Sequence, residues 1–152
     1  MTQHTPHPTS DPLGERRAWM AVLARAGADE IAALLPTLPP HERLRAPETG
    51  LVMVRGRAGG DGAPFNLGEM TVTRCAVRLG DAVGHAYVAG RDKRQAELAA
   101  LVDAALQDPA RHDALMAAVI APLSAAQQAA RAAEARRAAA TRVEFFTMAT
   151  MR

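Results

Sequence analysis

The chain has 152 residues, a net charge of +2 and a single cysteine, which fits one globular domain. A single cysteine excludes an internal disulfide and a four-cysteine iron–sulfur cluster, so a cytoplasmic location is expected. The start of the chain lacks the features of a signal peptide, and the absence of a run of about 18 apolar residues excludes a membrane span. The low charge and the scarcity of aromatic residues exclude a nucleic-acid-binding surface.

The amino-terminal part of the chain predicts a tail followed by two helices. Residues 1–10 are rich in Pro, Thr and His, and they predict a disordered tail ahead of a single domain over residues 11–152. Asp11-Pro12 is typical of a helix start, and Gly27 is expected to end that helix. Asp29 opens a second short helix, which ends among the prolines that follow.

The middle of the chain changes from helical to extended periodicity. Three runs joined by short glycine-rich turns predict an antiparallel meander, and these runs are Gly50–Arg57, Asn66–Leu79 and Gly84–Ala89. The apolar residues of the second run change faces near Arg74, which indicates either a β-bulge or a sheet that partners cover on both sides. A fourth run, Thr141–Met148, is expected to join the meander as a strand.

Helical periodicity returns after the meander. Asp92 and Gln95 have the spacing of a capping box, an amphipathic helix follows them, and Asp108-Pro109 starts another helix. The Ala, Gln and Arg composition of Ser124–Ala140 is strongly helical. The predicted class is therefore α+β, an antiparallel sheet of about four strands packed with amino-terminal and carboxy-terminal helices.

Motifs for catalysis or metal binding are missing or incomplete in the sequence. The glycine-rich segment Gly56–Gly68 lacks the Gly-Lys-Ser/Thr triplet of a phosphate-binding loop, so a hairpin loop is favoured. Arg55 and Arg57 flank it, which leaves a backbone anion site open as an alternative. His85 has no second ligand at metal-binding spacing and is interpreted as a strand histidine at a polar interface. Cys75 is interpreted as a small core residue.

The predicted sheet carries many arginines. They form either a solvated face or a surface for an anion or a protein partner, because guanidinium groups pair well with phosphates and carboxylates. Together with nearby polar residues they give the candidate partner- or anion-contact residues, which are Arg55, Arg57, Asn66, Glu69, Arg74, His85 and Arg91. We assign no catalytic residue, and we expect no metal and no cofactor bound by this chain alone.

The stretch Leu44–Asp108 resembles the G subunit (PhnG) of the bacterial carbon–phosphorus lyase complex. The resemblance is carried by short blocks, which are PETG at 47–50, MVRGR at 53–57, PFNLGE at 64–69, TVTRC at 71–75, GHAY at 84–87 and GRD at 90–92. RAWMAVLA at 17–24 and TRVEFFT at 141–147 look like the same family. Gln95 departs from the pattern, since a histidine is expected there, and the ending ATMR lacks the expected Arg-Gly-acidic end.

The resemblance implies a role in breaking down organic phosphonates for phosphorus. In that pathway a phosphonate displaces the adenine of ATP, a substrate of the complex, to give ribose 1-phosphonate 5-triphosphate. The implied partners are the H, I and J subunits, and most directly the I subunit, to which the resemblance assigns the N-glycosidic chemistry. The J subunit carries the iron–sulfur chemistry.

These features favour an accessory subunit of a transferase complex that is not catalytic alone. The alternative is an independent anion- or nucleotide-binding enzyme that uses Arg55, Glu69, Arg74 and His85.

Overall fold

The computed structural model describes residues 12–38, 40–57 and 62–143. Its elements in chain order are α1 (Pro12–Leu23), α2 (Ala28–Leu34), β1 (Glu42–Gly56), β2 (Phe65–Leu79), β3 (Ala82–Ala89), α3 (Lys93–Leu106), α4 (Pro109–Leu115) and α5 (Ala121–Ala140). A π-helical turn, Met116–Ile120, joins α4 to α5. The predicted α+β class is confirmed.

Side-chain caps confirm two of the predicted helix starts. Asp92 accepts a hydrogen bond from the backbone N–H of Gln95 at 2.9 Å, and Asp108 accepts one from Ala110 at 2.9 Å. The amide of Gln95 does not return to Asp92 as a capping box would require. It donates instead to the carbonyls of Ala24 and Ala26, at 3.2 and 2.8 Å, and so ties the start of α3 to the end of α1.

Gly27 begins a helix and does not end one. The first helix stops at Leu23, and Gly27 has extended backbone angles (φ −68°, ψ 155°) at the start of α2. Its N–H donates to the carboxylate of Glu30 at 2.7 Å. The predicted stop is wrong because the chain leaves α1 through a tight turn, in which the N–H of Ala26 bonds the carbonyl of Leu23.

The sheet is antiparallel, with strand order β1-β2-β3. β2 pairs with β1 along almost its whole length, but it pairs with β3 only from Val72 to Leu79. The remaining part is a two-stranded ribbon, Leu51–Gly56 with Phe65–Thr71, which we call the arm. At about 3.3 Å per residue it extends about 20 Å beyond the three-stranded part of the sheet.

The first strand is longer than predicted, since it begins at Glu42 and not at Gly50. Pro47 and the charged residues around it obscure the extended pattern. β1 is an edge strand, where a proline is tolerated because no ladder hydrogen bond from its nitrogen is needed. The predicted second and third runs are confirmed, with bounds that differ by one or two residues.

The change of apolar face near Arg74 predicted a bulge, and β1 shifts register between Arg45 and Glu48, next to Arg74, while β2 pairs regularly with β3 there. A further shift lies nearer the arm's tip, where Val54 pairs with Gly68 and Arg55 pairs with Asn66, so that Leu67 is an extra residue on β2. Gly68 has φ +152°, a conformation that favours glycine. The apolar face changes because β2 leaves the cover of the helices beyond Thr71.

The helices pack on one face of the sheet, and the core lies between α3 and strands β2 and β3. Its largest fully buried apolar side chains are Leu23, Ile31, Val77, Val88, Val102, Leu106 and Val119. Cys75 is also buried, which confirms its interpretation as a core residue. Gly84 allows β3 to approach α3 closely, because a Cβ at this position would lie 1.9 Å from the carbonyl oxygen of Ala100.

Two predicted segments fall wholly or mainly outside the described residues. They are the tail, residues 1–10, and the fourth strand, Thr141–Met148, of which the structure describes only residues 141–143. Those three residues are not part of the sheet. Within the described ranges, no helix is long and apolar enough to cross a bilayer.

Candidate functional site

The candidate residues lie on two different faces of the sheet. Residues directly opposite each other on antiparallel strands share a face. The helix-side face carries Thr73, Cys75 and Val77, which lie in the core. The other face, which we call the open face, carries Arg74 and Arg78, and both are exposed.

Three polar candidates lie together on the helix-side face of the arm. Arg55 is opposite Asn66, and Glu69 is opposite Met53, the next position on that face. Arg57 follows directly after the end of β1. Neither Arg55 nor Arg57 has an ion-pair partner among the residues that the structure describes. The tip of the arm therefore presents two guanidinium groups with no charge partner in the described chain.

Arg74 belongs to a small charge network on the open face. Its Nε donates to Oε1 of Glu48 at 2.7 Å, and Arg45 bonds the same oxygen. Arg45 and then Arg74 hold the pKa of Glu48 below its usual value. Glu48, and next Tyr87 on β3, raise the pKa of Arg74. Arg74 thus already has a carboxylate partner within the chain.

His85 lies on the open face of β3, opposite Ala76 and diagonal to Arg74. Its side chain is exposed, and its backbone N–H donates to Oδ2 of Asp103 at 2.9 Å. The residue also lines an apolar cavity of about 100 Å³ against Met20 and Leu23. That volume is well below the roughly 300 Å³ of the smallest ordinary ligand pockets.

Arg91 lies at the foot of the arm. It follows Gly90, whose N–H donates to the carbonyl of Thr71 at 2.9 Å. The hydroxyl of Thr73 donates to the carbonyl of Gly90 at 2.8 Å and fixes this turn against β2. Arg91 is exposed, and no ion pair to it is found within the described ranges.

The structure does not bring the four residues of the alternative enzyme into one site. Arg55 and Glu69 lie on the helix-side face of the arm, whereas Arg74 and His85 lie on the open face of the three-stranded part. Glu69 and Arg74 are also five residues apart along β2, which corresponds to about 17 Å. A general acid or base must lie within hydrogen-bond reach of the group it serves, and these residues cannot serve a common small substrate.

Sequence reasoning missed Asp103, the carboxylate that accepts the most hydrogen bonds in the described part of the chain. Asp103 on α3 is fully buried and accepts hydrogen bonds from Arg16 Nε and Nη2, at 3.1 and 2.7 Å, from Trp19 Nε1 at 2.9 Å, and from the backbone of His85. The available signal was one acidic residue within the otherwise apolar run 98–106. Because residues of α1 and β3 donate hydrogen bonds to it, Asp103 acts as a structural anchor for these two elements.

His112 continues this cluster at the surface. Its Nδ1 lies 2.8 Å from the carbonyl oxygen of Leu106, its Nε2 lies 3.3 Å from Glu15, and its ring meets Trp19 edge-on at 5.5 Å. The contact with the Leu106 carbonyl, followed by that with Glu15, raises the pKa of His112. In its protonated form the ring stabilises the end of α3, where carbonyl groups favour a cation.

The glycine-rich segment between β1 and β2 is only partly described, since residues 58–61 lie outside the described ranges. Two alternatives for this segment therefore remain predictions. One is a hairpin loop that binds nothing, and the other is a backbone site for an anion. In the described part of the chain, no group of three or more His, Cys, Asp or Glu residues could hold a metal ion.

The arm also exposes large apolar side chains. The exposed fractions are 62% for Leu51, 58% for Leu67, 52% for Met53, 47% for Phe65 and 38% for Met70. Exposed apolar surface of this extent commonly marks an interaction site. The arm thus combines apolar side chains with the polar candidates Arg55, Asn66 and Glu69.

Comparison with known proteins assigns the chain to a family. The family model described as phosphonate metabolism protein PhnG matches residues 14–150. A relative from Rhizobium meliloti (strain 1021) is named alpha-D-ribose 1-methylphosphonate 5-triphosphate synthase subunit PhnG. It is 47% identical over 146 residues, which cover 92% of this chain and 93% of the relative. The chain therefore belongs to the PhnG family of phosphonate metabolism proteins.

Proposed function

We propose that the chain is an accessory subunit of the carbon–phosphorus lyase core complex, which acts in the catabolism of organic phosphonates. It supports the I subunit while a phosphonate displaces the adenine of ATP, releasing adenine and giving ribose 1-phosphonate 5-triphosphate. The H and J subunits are further partners, and the assembled complex works in the cytoplasm. ATP is a substrate of the complex, and this chain alone holds no cofactor. The name of the Rhizobium meliloti relative supports a place in a synthase of several subunits.

The observation that carries this proposal is the separation of the candidate residues. Displacement of a purine needs groups that bind the triphosphate, orient the ribose and handle a proton at one place. The polar candidates of this chain are divided between the arm and the opposite face of the sheet. An accessory role requires no such convergence, since each group can contact a different part of a partner.

The candidate residues differ in how ready they are for a partner. Arg55, Arg57 and Arg91 have no charge partner among the described residues and are free to pair with a carboxylate or a phosphate group. Arg74 must leave or share Glu48 before it binds anything else. We therefore place the main partner contacts at the arm and its foot, with Asn66 and Glu69 next to the arginines. Arg74 and His85 lie at the edge of this contact surface.

Co-purification with the I subunit tests this proposal. The full chain carries an affinity tag and is produced together with the H, I and J subunits, and an untagged chain serves as the control. We expect the I subunit to be retained in a fixed ratio to the tagged chain. A tagged chain that elutes without the I subunit, and that binds ATP alone, would overturn the proposal in favour of an independent nucleotide-binding protein.

A further inference from the structure

The arm exposes apolar side chains on both of its faces. Leu51 and Met53 lie on the helix-side face, opposite Thr71 and Glu69. Met70 lies on the open face, opposite Val52. Leu67 also lies on the open face, over Gly56, since a Cβ added to Gly56 would be 2.6 Å from Cδ1 of Leu67. Phe65 is paired with Gly56 and therefore shares this face. A single flat contact with another protein can cover only one of these faces.

The exposed aliphatic side chains of the open face are concentrated in the arm, whereas Tyr87 is exposed on this face of the three-stranded part. In the three-stranded part, the same face carries the ion pairs Arg74–Glu48 and Arg78–Glu42. A solvated face of an antiparallel sheet normally carries polar residues of this kind. A two-stranded ribbon is also only marginally stable in water without further packing. The arm is thus built for contact with another protein and not for exposure to solvent.

The charges of the arm point to the chemistry of that protein. Most cations near the base of the sheet are paired, as Arg43 is with Glu97 and Arg74 is with Glu48. Arg55 and Arg57, at the tip, have no such partner in the described ranges. An unpaired guanidinium group is matched best by a carboxylate, with which it forms paired hydrogen bonds.

We propose that the arm inserts into an apolar cleft of another subunit, whose carboxylates pair with Arg55 and Arg57. The inference rests on the proposed function, which supplies that subunit. Insertion follows from the two apolar faces, since a cleft covers both.

A second copy of this chain fits the arm less well. In a tip-to-tip contact, Arg55 and Arg57 of one copy would lie next to the same two residues of the other copy. If the two arms paired antiparallel through their β2 edges, the tip arginines of each copy would lie next to Arg91 at the foot of the other arm. Both arrangements place like charges next to each other. We therefore choose a different protein as the occupant, with a second copy as an outcome of the test.

Matched variants test each face of the arm. Met53→Ser changes the helix-side face and Met70→Ser changes the open face, while Leu44→Ser alters an exposed leucine of β1 outside the arm and serves as the control. Each tagged full-length chain is titrated with purified I subunit. We expect each methionine variant to weaken binding about tenfold or more, as buried interface anchors do. Leu44→Ser should bind as the wild type does.

Charge variants test the tip in the same way. Arg55→Glu should weaken binding by a similar factor, and more strongly at low salt, because it opposes a carboxylate. Arg17→Glu, at an exposed position of α1, is the matched control and should leave binding unchanged. Equal losses in Arg55→Glu and Arg17→Glu would overturn the assignment of carboxylates to the cleft.

The outcomes separate the inference from the proposed function. If the wild type binds no I subunit, the proposed function fails. If the wild type binds and both methionine variants bind equally well, only the arm inference fails. Loss in just one methionine variant contradicts insertion, and a wild-type dimer that the variants dissociate identifies a second copy as the occupant. Should a variant not fold, amide exchange of the wild type decides, since insertion requires slower exchange at residues 51–56 in the complex than in the free chain.

Discussion

Asp103 is a buried carboxylate whose partners come from α1 and β3. Arg16 supplies the opposing charge, and Trp19 and the backbone of His85 supply two further donors. Arg16 keeps a side-chain exposure of 30%, so water can solvate its charge when the carboxylate is absent. The indole N–H of Trp19 has no such access to solvent, since the residue is 5% exposed, and its loss of a partner is costly.

We predict that Asp103→Ala lowers the free energy of unfolding by about 3 kcal/mol, because it leaves buried donors without an acceptor. Urea unfolding of the isolated chain measures this. Asp113→Ala, which removes an exposed carboxylate on α4, is the matched control and should change stability by no more than about 0.5 kcal/mol. Equal stabilities of the two variants would show that Asp103 is not an anchor.

Single residues show where sequence reasoning works and where it stops. Asp92 and Asp108 were predictable as caps, because a cap bonds a backbone group within three residues. The partners of Gln95 lie about 70 positions away, at Ala24 and Ala26, and no local pattern encodes them. Asp103 was missed for the same reason, since its three partner residues lie on other elements.

Gly84 determines how closely β3 and α3 approach. A Cβ there would lie 1.9 Å from the backbone oxygen of Ala100 and 2.5 Å from the backbone nitrogen of Ala104. Backbone atoms of a packed helix cannot turn aside as a flexible side chain can. The small side chains of α3 that face the sheet, such as Ala100 and Ala104, belong to the same close contact.

We predict that Gly84→Ala destabilises the chain by about 3 kcal/mol or more, since the helix must move away from the strand. Gly50→Ala is the matched control, because nothing lies within 4 Å of its Cβ and its φ is not positive. That variant should change stability by no more than about 1 kcal/mol. Thermal unfolding of both variants is the measurement, and a Gly84→Ala chain that melts like Gly50→Ala contradicts the close packing.

The strands show the limit of pattern reading at the scale of elements. The second and third strands were predictable because alternating apolar residues and glycine turns bound them. The start of β1 was not, since Pro47 and its charged neighbours look like a loop. The change of apolar face in β2 was a real signal: β1 shifts register beside Arg74, and the helices cease to cover β2 beyond Thr71.

The whole molecule consists of a packed body and projecting parts that bury little. The body holds the core between α3 and the sheet. The arm and the carboxy-terminal half of α5 are exposed over most of their residues. This member of the PhnG family thus has a packed core and exposed parts that other proteins can cover, which suits it to act within an assembly. The sequence motifs identified the family, but the position of the contact surface required knowing which part of β2 the helices cover.

Adenine release from ATP in the presence of methylphosphonate distinguishes an accessory subunit from an independent enzyme most directly. Purified chain alone, the I subunit alone and the two together are incubated with both substrates, and free adenine is quantified by chromatography. We predict no release above the buffer blank for this chain alone, and release once the I subunit and this chain are combined. Release by the chain alone, abolished by His85→Ala, would contradict an accessory role and establish an enzyme in its own right.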